Sequence, residues 1–293
     1  MHAPLMNAAY AVIILGVVDA ALAFDFNADK CGVSSVPALN ILGGKETHPG
    51  QFPWQVLLEW RGQHFCGGSI ISPSKIVTAA HCVVNFTLGD LYAVAGLRKR
   101  DYTKSGEAHV QKRKVAAGER HESFYGKYGH QKYDIGLLTL EEPFDLQSAD
   151  GHIAPVCLPP ENFTASGTVT VTGFGRDLEG ETPLSDTLQV ITIPVLPDED
   201  CHKAYGGRFF NDSMFCAGGE SDSKDACKGD SGGPAVQKVN GRYILAGIVS
   251  WGEGCGKAEK PGVYTQVSRY LDWIGRRMSP YSEQPFRPYS SRR

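Results

Sequence analysis

Seven short strand-like runs follow one another after Ile41: QVLLEW, GSIISPSKIVTAAH, YAVAGL, IGLLTL, GTVTVTGFG, YILAGIVSW and GVYTQV. Gly, Pro or Asp/Asn separates each run from the next. A chain that turns back so often has no room for long helices, and the pattern predicts an all-β barrel or sandwich. The 34 Gly and 17 Pro supply the turns. One helix is predicted near the end, over VSRYLDWIGRRM, where Val267, Tyr270, Leu271 and Ile274 recur at helical spacing. Residues 279–293 are rich in Pro, Ser and Arg and read as a flexible tail. The length, 293 residues, suits one large domain or two small ones. A net charge of −3 gives no basic field for nucleic acid.

The first residues read MHAPLMNAAYAVIILGVVDAALAFDF. The apolar run from Ala8 to Val18 falls short of the about 20 residues that span a bilayer. Ala21-Leu22-Ala23 offers the small residues of a signal-peptide cleavage site, so residues 1–23 read as a secretory leader rather than a membrane anchor. Asp19 and the lack of Lys or Arg before the run depart from the usual leader. No later run is long enough to span, so the expected product is secreted, extracellular and free of the membrane.

An oxidising compartment lets cysteines pair. There are eight, Cys31, Cys66, Cys82, Cys157, Cys201, Cys216, Cys227 and Cys255, so pairing leaves none over. None forms a C-x-x-C, which argues against zinc. Spacing alone leaves roughly a hundred pairings open. Sequons at Asn85, Asn162 and Asn211 fit secretion, though each is weak alone.

Three local patterns carry chemistry: Thr78-Ala79-Ala80-His81-Cys82, Tyr133-Asp134-Ile135-Gly136, and Gly229-Asp230-Ser231-Gly232-Gly233-Pro234. A His before a Cys is usually structural, and an Asp before an apolar run is usually a turn. The third pattern is strong even alone. A Ser hydroxyl is a poor nucleophile at neutral pH unless an imidazole takes its proton, and the imidazole needs a carboxylate to fix its tautomer. His, Asp and Ser in this order supply those three parts.

On these motifs the chain resembles the trypsin-like serine proteases of the chymotrypsin fold, from Ile41 to about Met278. The resemblance implies two six-stranded antiparallel Greek-key barrels with a C-terminal helix. It implies residues 24–40 as a propeptide or light chain and 41–278 as the protease domain. It makes Ser231 the nucleophile, His81 the base and acid, and Asp134 the orienter, with an oxyanion hole from the amides of Gly229 and Ser231. It selects the pairs Cys31–Cys157, Cys66–Cys82, Cys201–Cys216 and Cys227–Cys255. Ser250, Trp251 and Gly252 fall on its substrate-binding strand.

Specificity in this family follows the residue six before the nucleophile, here Asp225, which marks a pocket for Arg or Lys. Gly252 and Gly262 match wall positions where missing side chains leave the slot open. Ala226 stands where many relatives carry Ser, and a missing hydroxyl should favour Arg, whose guanidinium reaches a carboxylate bidentately. Lys228 is more often Gln and should disfavour basic residues near the scissile bond. Leu97 replaces a calcium-ligating Glu, and Pro261 replaces the Tyr of sodium-regulated relatives. No metal or cofactor is therefore implied. Leu57 replaces a Ser that in some relatives helps His64 hold the zymogen's key Asp.

ILGG at 41–44 matches the new amino terminus of an activated protease, which would pair with Asp230. The residue before it is Asn40 rather than Arg or Lys, which implies a separate, asparagine-specific activating protease, or a cut after Leu39 followed by trimming. The implied partners are protein or peptide substrates, serpin- or Kunitz-type inhibitors and that activator. A catalytically dead homologue serving as a binding module is the competing class, but such proteins usually lose Ser, His or Asp, and all three are present.

Overall fold

The computed structural model describes residues 31–36, 45–84, 88–127, 130–176, 183–219, 226–257 and 259–278. The leader, the Asn40–Ile41 bond, Asn85, Asp225 and the 279–293 tail lie outside these residues. The strands are β1 (Lys45–Glu46), β2 (Gln55–Trp60), β3 (Gln63–Ser72), β4 (Lys75–Thr78), β5 (Leu91–Ala95), β6 (Gln111–Arg120), β7 (Tyr125–Lys127) and β8 (His130–Lys132). They continue with β9 (Gly136–Leu140), β10 (Thr168–Gly173), β11 (Gln189–Pro194), β12 (Met214–Ala217), β13 (Pro234–Val239), β14 (Arg242–Trp251) and β15 (Gly262–Gln266). Three short helices are α1 (Tyr102–Ser105), α2 (Asp198–Tyr205) and α3 (Leu271–Met278).

The first barrel is closed, in the order β2-β3-β4-β9-β6-β5. The chain runs up and down through three strands, crosses to β5 beside β2, and returns through β6 to close β9 on β4. Trp54, Ile70, Ile76, Leu137 and Leu138 belong to its buried core. The second half is a curled sheet ordered β1-β11-β10-β13-β14-β15-β12. Just past β11, a Val195–Ala217 bridge joins the chain to β12, with Leu196 N–H donating to Cys216 O and Gly218 N–H donating to Pro194 O, both at 2.9 Å. Pro194 and Pro197 flank that seam and lack the N–H groups a longer ladder needs. With the seam closed, its six long strands repeat the connection order of the first barrel. The expected pair of barrels is thus present, one fully closed and one closed by a single short seam.

All four expected disulfides form, with Cα–Cα distances of 4.8 Å for Cys31–Cys157, 6.3 Å for Cys66–Cys82, 5.9 Å for Cys201–Cys216 and 5.3 Å for Cys227–Cys255. The lead is also paired by its backbone: Gly32 N–H donates to Pro155 O at 2.8 Å, and Tyr243 N–H donates to Gly32 O at 2.9 Å. Among the described residues, no helix is long and apolar enough to cross a membrane. The predicted C-terminal helix starts later than its periodicity suggests. Val267–Tyr270 is a 3-10 turn, and α3 follows. The tighter turn shifts the phase, so Trp273 is buried while Leu271 is only half-buried.

Candidate active site

Register brings the first two residues together. Thr78, the last residue of β4, faces Gly136, the first of β9. In an antiparallel pair, the chain leaving one strand and the chain entering the other occupy the same end of the barrel. His81 lies in the 3-10 turn Ala80–Cys82, just past β4, and Asp134 lies just before β9. His81 Nδ1 is 2.8 Å from Asp134 Oδ2, and His81 N–H donates to Asp134 Oδ1 at 2.9 Å. A carboxylate only accepts, so Nδ1 carries the proton and Nε2 is left as the basic atom.

Asp134 is 1 % exposed, and the second barrel helps to hold it. Ser250 Oγ, on β14, donates to Oδ2 at 2.5 Å, and Thr265 Oγ1, on β15, donates to the Asp134 carbonyl at 2.8 Å. Burial of His81 pulls its pKa down, but the Asp134 charge and hydrogen bond outweigh this and hold it above the ordinary histidine value. The site therefore favours the imidazolium that forms when His81 accepts a proton.

Ser231 arrives from the second barrel in a pair of consecutive turns. Asp230 N–H donates to Cys227 O at 3.0 Å, and Gly233 N–H donates to Asp230 O at 2.8 Å. The turn is fastened to the first barrel by Gly67 N–H, which donates to Ser231 O at 2.8 Å. Cys82 Sγ, in the residue after His81, lies 3.7 Å from the same carbonyl. Gly229 has φ +105°, and a Cβ there would come within 2.6 Å of Leu184 and 3.0 Å of Gly175 Cα. Only glycine fits this bend, which turns the 229–231 backbone toward the cleft.

The Asp230 carboxylate accepts from Gly175 N–H at 2.7 Å and Cys227 N–H at 2.9 Å. A Cβ on Gly252 would lie 3.9 Å from Gly262 Cα, so the two glycines face each other. Ala226 is half-buried against the second core and Lys228 is exposed. Leu97 is buried in an apolar cluster with Leu57 and Phe174, while Glu107 accepts from the backbone N–H groups of Arg98 and Lys99 at 3.2 Å. His64 Nε2 donates to Gly229 O at 2.9 Å, and Leu57 is buried in the core. Asn162 and Asn211 are exposed.

Cys66, His81 and Cys82 bring ligand atoms within 4.8 Å of one another, but the two sulfurs are joined and offer no thiolate to a metal. One residue at the site escaped the sequence reading. One terminal atom of the Gln131 carboxamide lies 2.7 Å from Asp134 Oδ2 and 3.2 Å from Ser250 O, and because both of these only accept, that atom is assigned as the NH2 nitrogen. No sequence motif marks it, and its convergence on Asp134 depends on a backbone reversal at Tyr133.

Comparison with known proteins agrees with this geometry. The family described as Trypsin matches residues 41–274. Coagulation factor IX of Cavia porcellus is 38% identical over 237 residues, covering 80% of this chain and 80% of the relative.

Proposed function

This chain belongs to the trypsin family of serine proteases, and from that membership we propose a secreted endopeptidase, made as a zymogen, that cuts after Arg and less well after Lys. The observation that carries the reading is the buried Asp134 bonded to both His81 Nδ1 and His81 N–H. Ser231 Oγ attacks the scissile carbonyl carbon while His81 Nε2 takes its proton. The negative charge that develops on the carbonyl oxygen meets the N–H groups of Gly229 and Ser231. Loss of one such donor typically costs about 10²–10³ in turnover. Collapse of the adduct passes the Nε2 proton to the leaving amine and leaves an acyl-enzyme on Ser231. Water then repeats the sequence and frees the acid.

Asp225, one residue before the described Ala226, would meet the substrate cation at the base of a slot walled by Gly252 and Gly262. Burying that carboxylate without a cation is costly, which favours basic side chains. Ala226 brings no hydroxyl, so the compact Lys ammonium lacks a partner that the wider guanidinium can do without. Activation would free the Ile41 amine to pair with Asp230. The enzyme's own pocket has no match for Asn40, so the activator is a different, asparagine-specific protease. Inhibitors of the serpin or Kunitz type would enter the same cleft as substrates.

The test begins with amino-terminal sequencing of the activated protein, which should start at Ile41. A fluorophosphonate probe should then label Ser231, and Ser231→Ala should abolish amidase activity while the protein stays folded. Peptidyl-Arg should be cut faster than peptidyl-Lys, with Ala226→Ser narrowing the gap. An activated wild-type protein that neither labels nor cleaves would support the binding-module class instead.

A further inference from the structure

In an extended strand, residues three apart point to opposite faces. Gln131 and Asp134 are three apart, yet both side chains reach the same point. The cause is Tyr133, which has φ +57°, in the left-handed region. Ile135 N–H then donates to Tyr133 O at 2.9 Å, a three-residue turn centred on Asp134. The chain doubles back within two residues, and the β7–β8 hairpin is folded onto the catalytic corner. Two contacts hold it there. The Lys132 ammonium sits 4.0 Å from the Phe210 ring centroid, and the Tyr133 ring stacks on His121 at 5.1 Å.

Asp134 Oδ2 and Ser250 O can only accept, so the end of the Gln131 amide that meets them is the NH2 group, at 2.7 Å and 3.2 Å. The same nitrogen is 3.0 Å from His81 Nδ1, whose own proton points to Asp134. Oδ2 therefore stands against three donors, His81 Nδ1, Ser250 Oγ and the Gln131 amide. We propose that Gln131 is a positioning residue for the Asp134–His81 pair, fixing the plane of the carboxylate and drawing off part of its charge. The inference rests on the proteolytic reading above and names a device within that same site.

A donor to an ionised carboxylate stabilises it and weakens its hold on other protons. With the Gln131 NH2 in place, Asp134 pulls less strongly on the imidazolium than with its two other donors alone. The reverse orientation, with the amide oxygen accepting from Nδ1–H, would instead raise the His81 pKa, but it would press that oxygen against the Asp134 and Ser250 oxygens. Tyr133 and Lys132 belong to the hairpin itself, and the Lys132 cation is turned to Phe210. From the C-terminal turn comes Tyr270, whose hydroxyl burial holds un-ionised across the working range. From β14 and β15 come the hydroxyls of Ser250 and Thr265. Removing the Gln131 donor should therefore register on His81 without interference.

The test uses activated enzyme carrying Gln131→Met, which keeps length but donates nothing, and Gln131→Glu, which adds a charge. The acidic limb of kcat/KM against pH for a peptidyl-Arg substrate should move upward, by about half a pH unit for Met and by more than one for Glu. Turnover should fall severalfold and KM should change less than twofold. A limb that stays put, with the change confined to KM, would overturn the proposal and make Gln131 only a wall of the substrate cleft. The low-field NMR signal of the His81 Nδ1 proton gives a second reading in wild type and variants. It should shift in both variants, and an unmoved signal would also overturn the proposal. If activated wild type failed to label at Ser231, the proteolytic reading would fall while this signal still decided the Gln131 bond.

Discussion

His64 shows what one buried side chain can do to the pH behaviour of the molecule. Burial lowers its pKa from 6.5 to about 4, and the bond to Gly229 O only partly offsets this. The unfolded chain binds the proton more tightly than the folded one, so stability is unaffected above about pH 6.5 and falls as pH drops toward 4. The full cost, reached below that point, is about 3 kcal/mol. His64→Gln keeps an N–H for Gly229 O but cannot titrate. Urea melts at pH 7.5 and 4.5 should differ by about 2 kcal/mol less in this variant than in wild type. An unchanged difference would mean that His64 is not the titrating group. Catalysis carries the opposite displacement. In the proposed mechanism His81 must be neutral to accept the Ser231 proton, and Asp134 holds its pKa above the ordinary value. Activity should therefore rise through a limb above pH 6.5.

Among the elements, the β7–β8 hairpin is the one whose placement the site depends on most. Tyr133 holds a left-handed conformation that costs an ordinary residue about 1–2 kcal/mol, offset by its stack on His121 and, through it, on Trp273 of α3. Tyr133→Ala keeps the strain and loses the stack, whereas Tyr133→Gly loses the stack and relieves the strain. The Gly variant should be the more stable by about 1 kcal/mol in urea denaturation. The reverse order would remove strain from the explanation. This hairpin was not legible in the sequence, because nothing in YGKYGHQKYD signals that Tyr133 bends the wrong way for its type. Several strands with apolar faces were legible: QVLLEW is β2 to the residue, and GVYTQV contains β15, whereas β11 (QVITIP) and β12 (MFCA) were missed. β6 was missed, since half of QKRKVAAGER is charged and Val115 is its one fully buried side chain. The proposed catalytic trio stood out in the sequence because its chemistry demands those residue types, and the structure bonds two of them, His81 and Asp134. Gln131 did not stand out, because an amide donor has no required neighbours along the chain.

On the scale of the whole molecule, two barrels of like topology meet at Asp134, which accepts from both. One covalent link outside that junction deserves its own test, the Cys31–Cys157 bond, which spans 126 residues of sequence. Replacing both cysteines by Ser should destabilise the uncut protein by up to about 5 kcal/mol, because a long closed loop restricts the unfolded chain. After activation the double variant should shed the segment before Ile41 on a sizing column run in urea, while wild type retains it. Retention by the variant would show that the Gly32 pairing to Pro155 and Tyr243 suffices even in urea. If residue 41 becomes a terminus, as proposed, the same bond also changes its topological character. Before the cut, the backbone from Cys31 to Cys157 and their sulfurs make a closed ring. The cut opens the ring into a branched chain, and a cross-link that constrained the unfolded state becomes a mere tether. The proposed maturation would then add one water to the mass and remove a closed circuit from the chain, leaving the unfolded state of the cut form less restricted than that of its precursor.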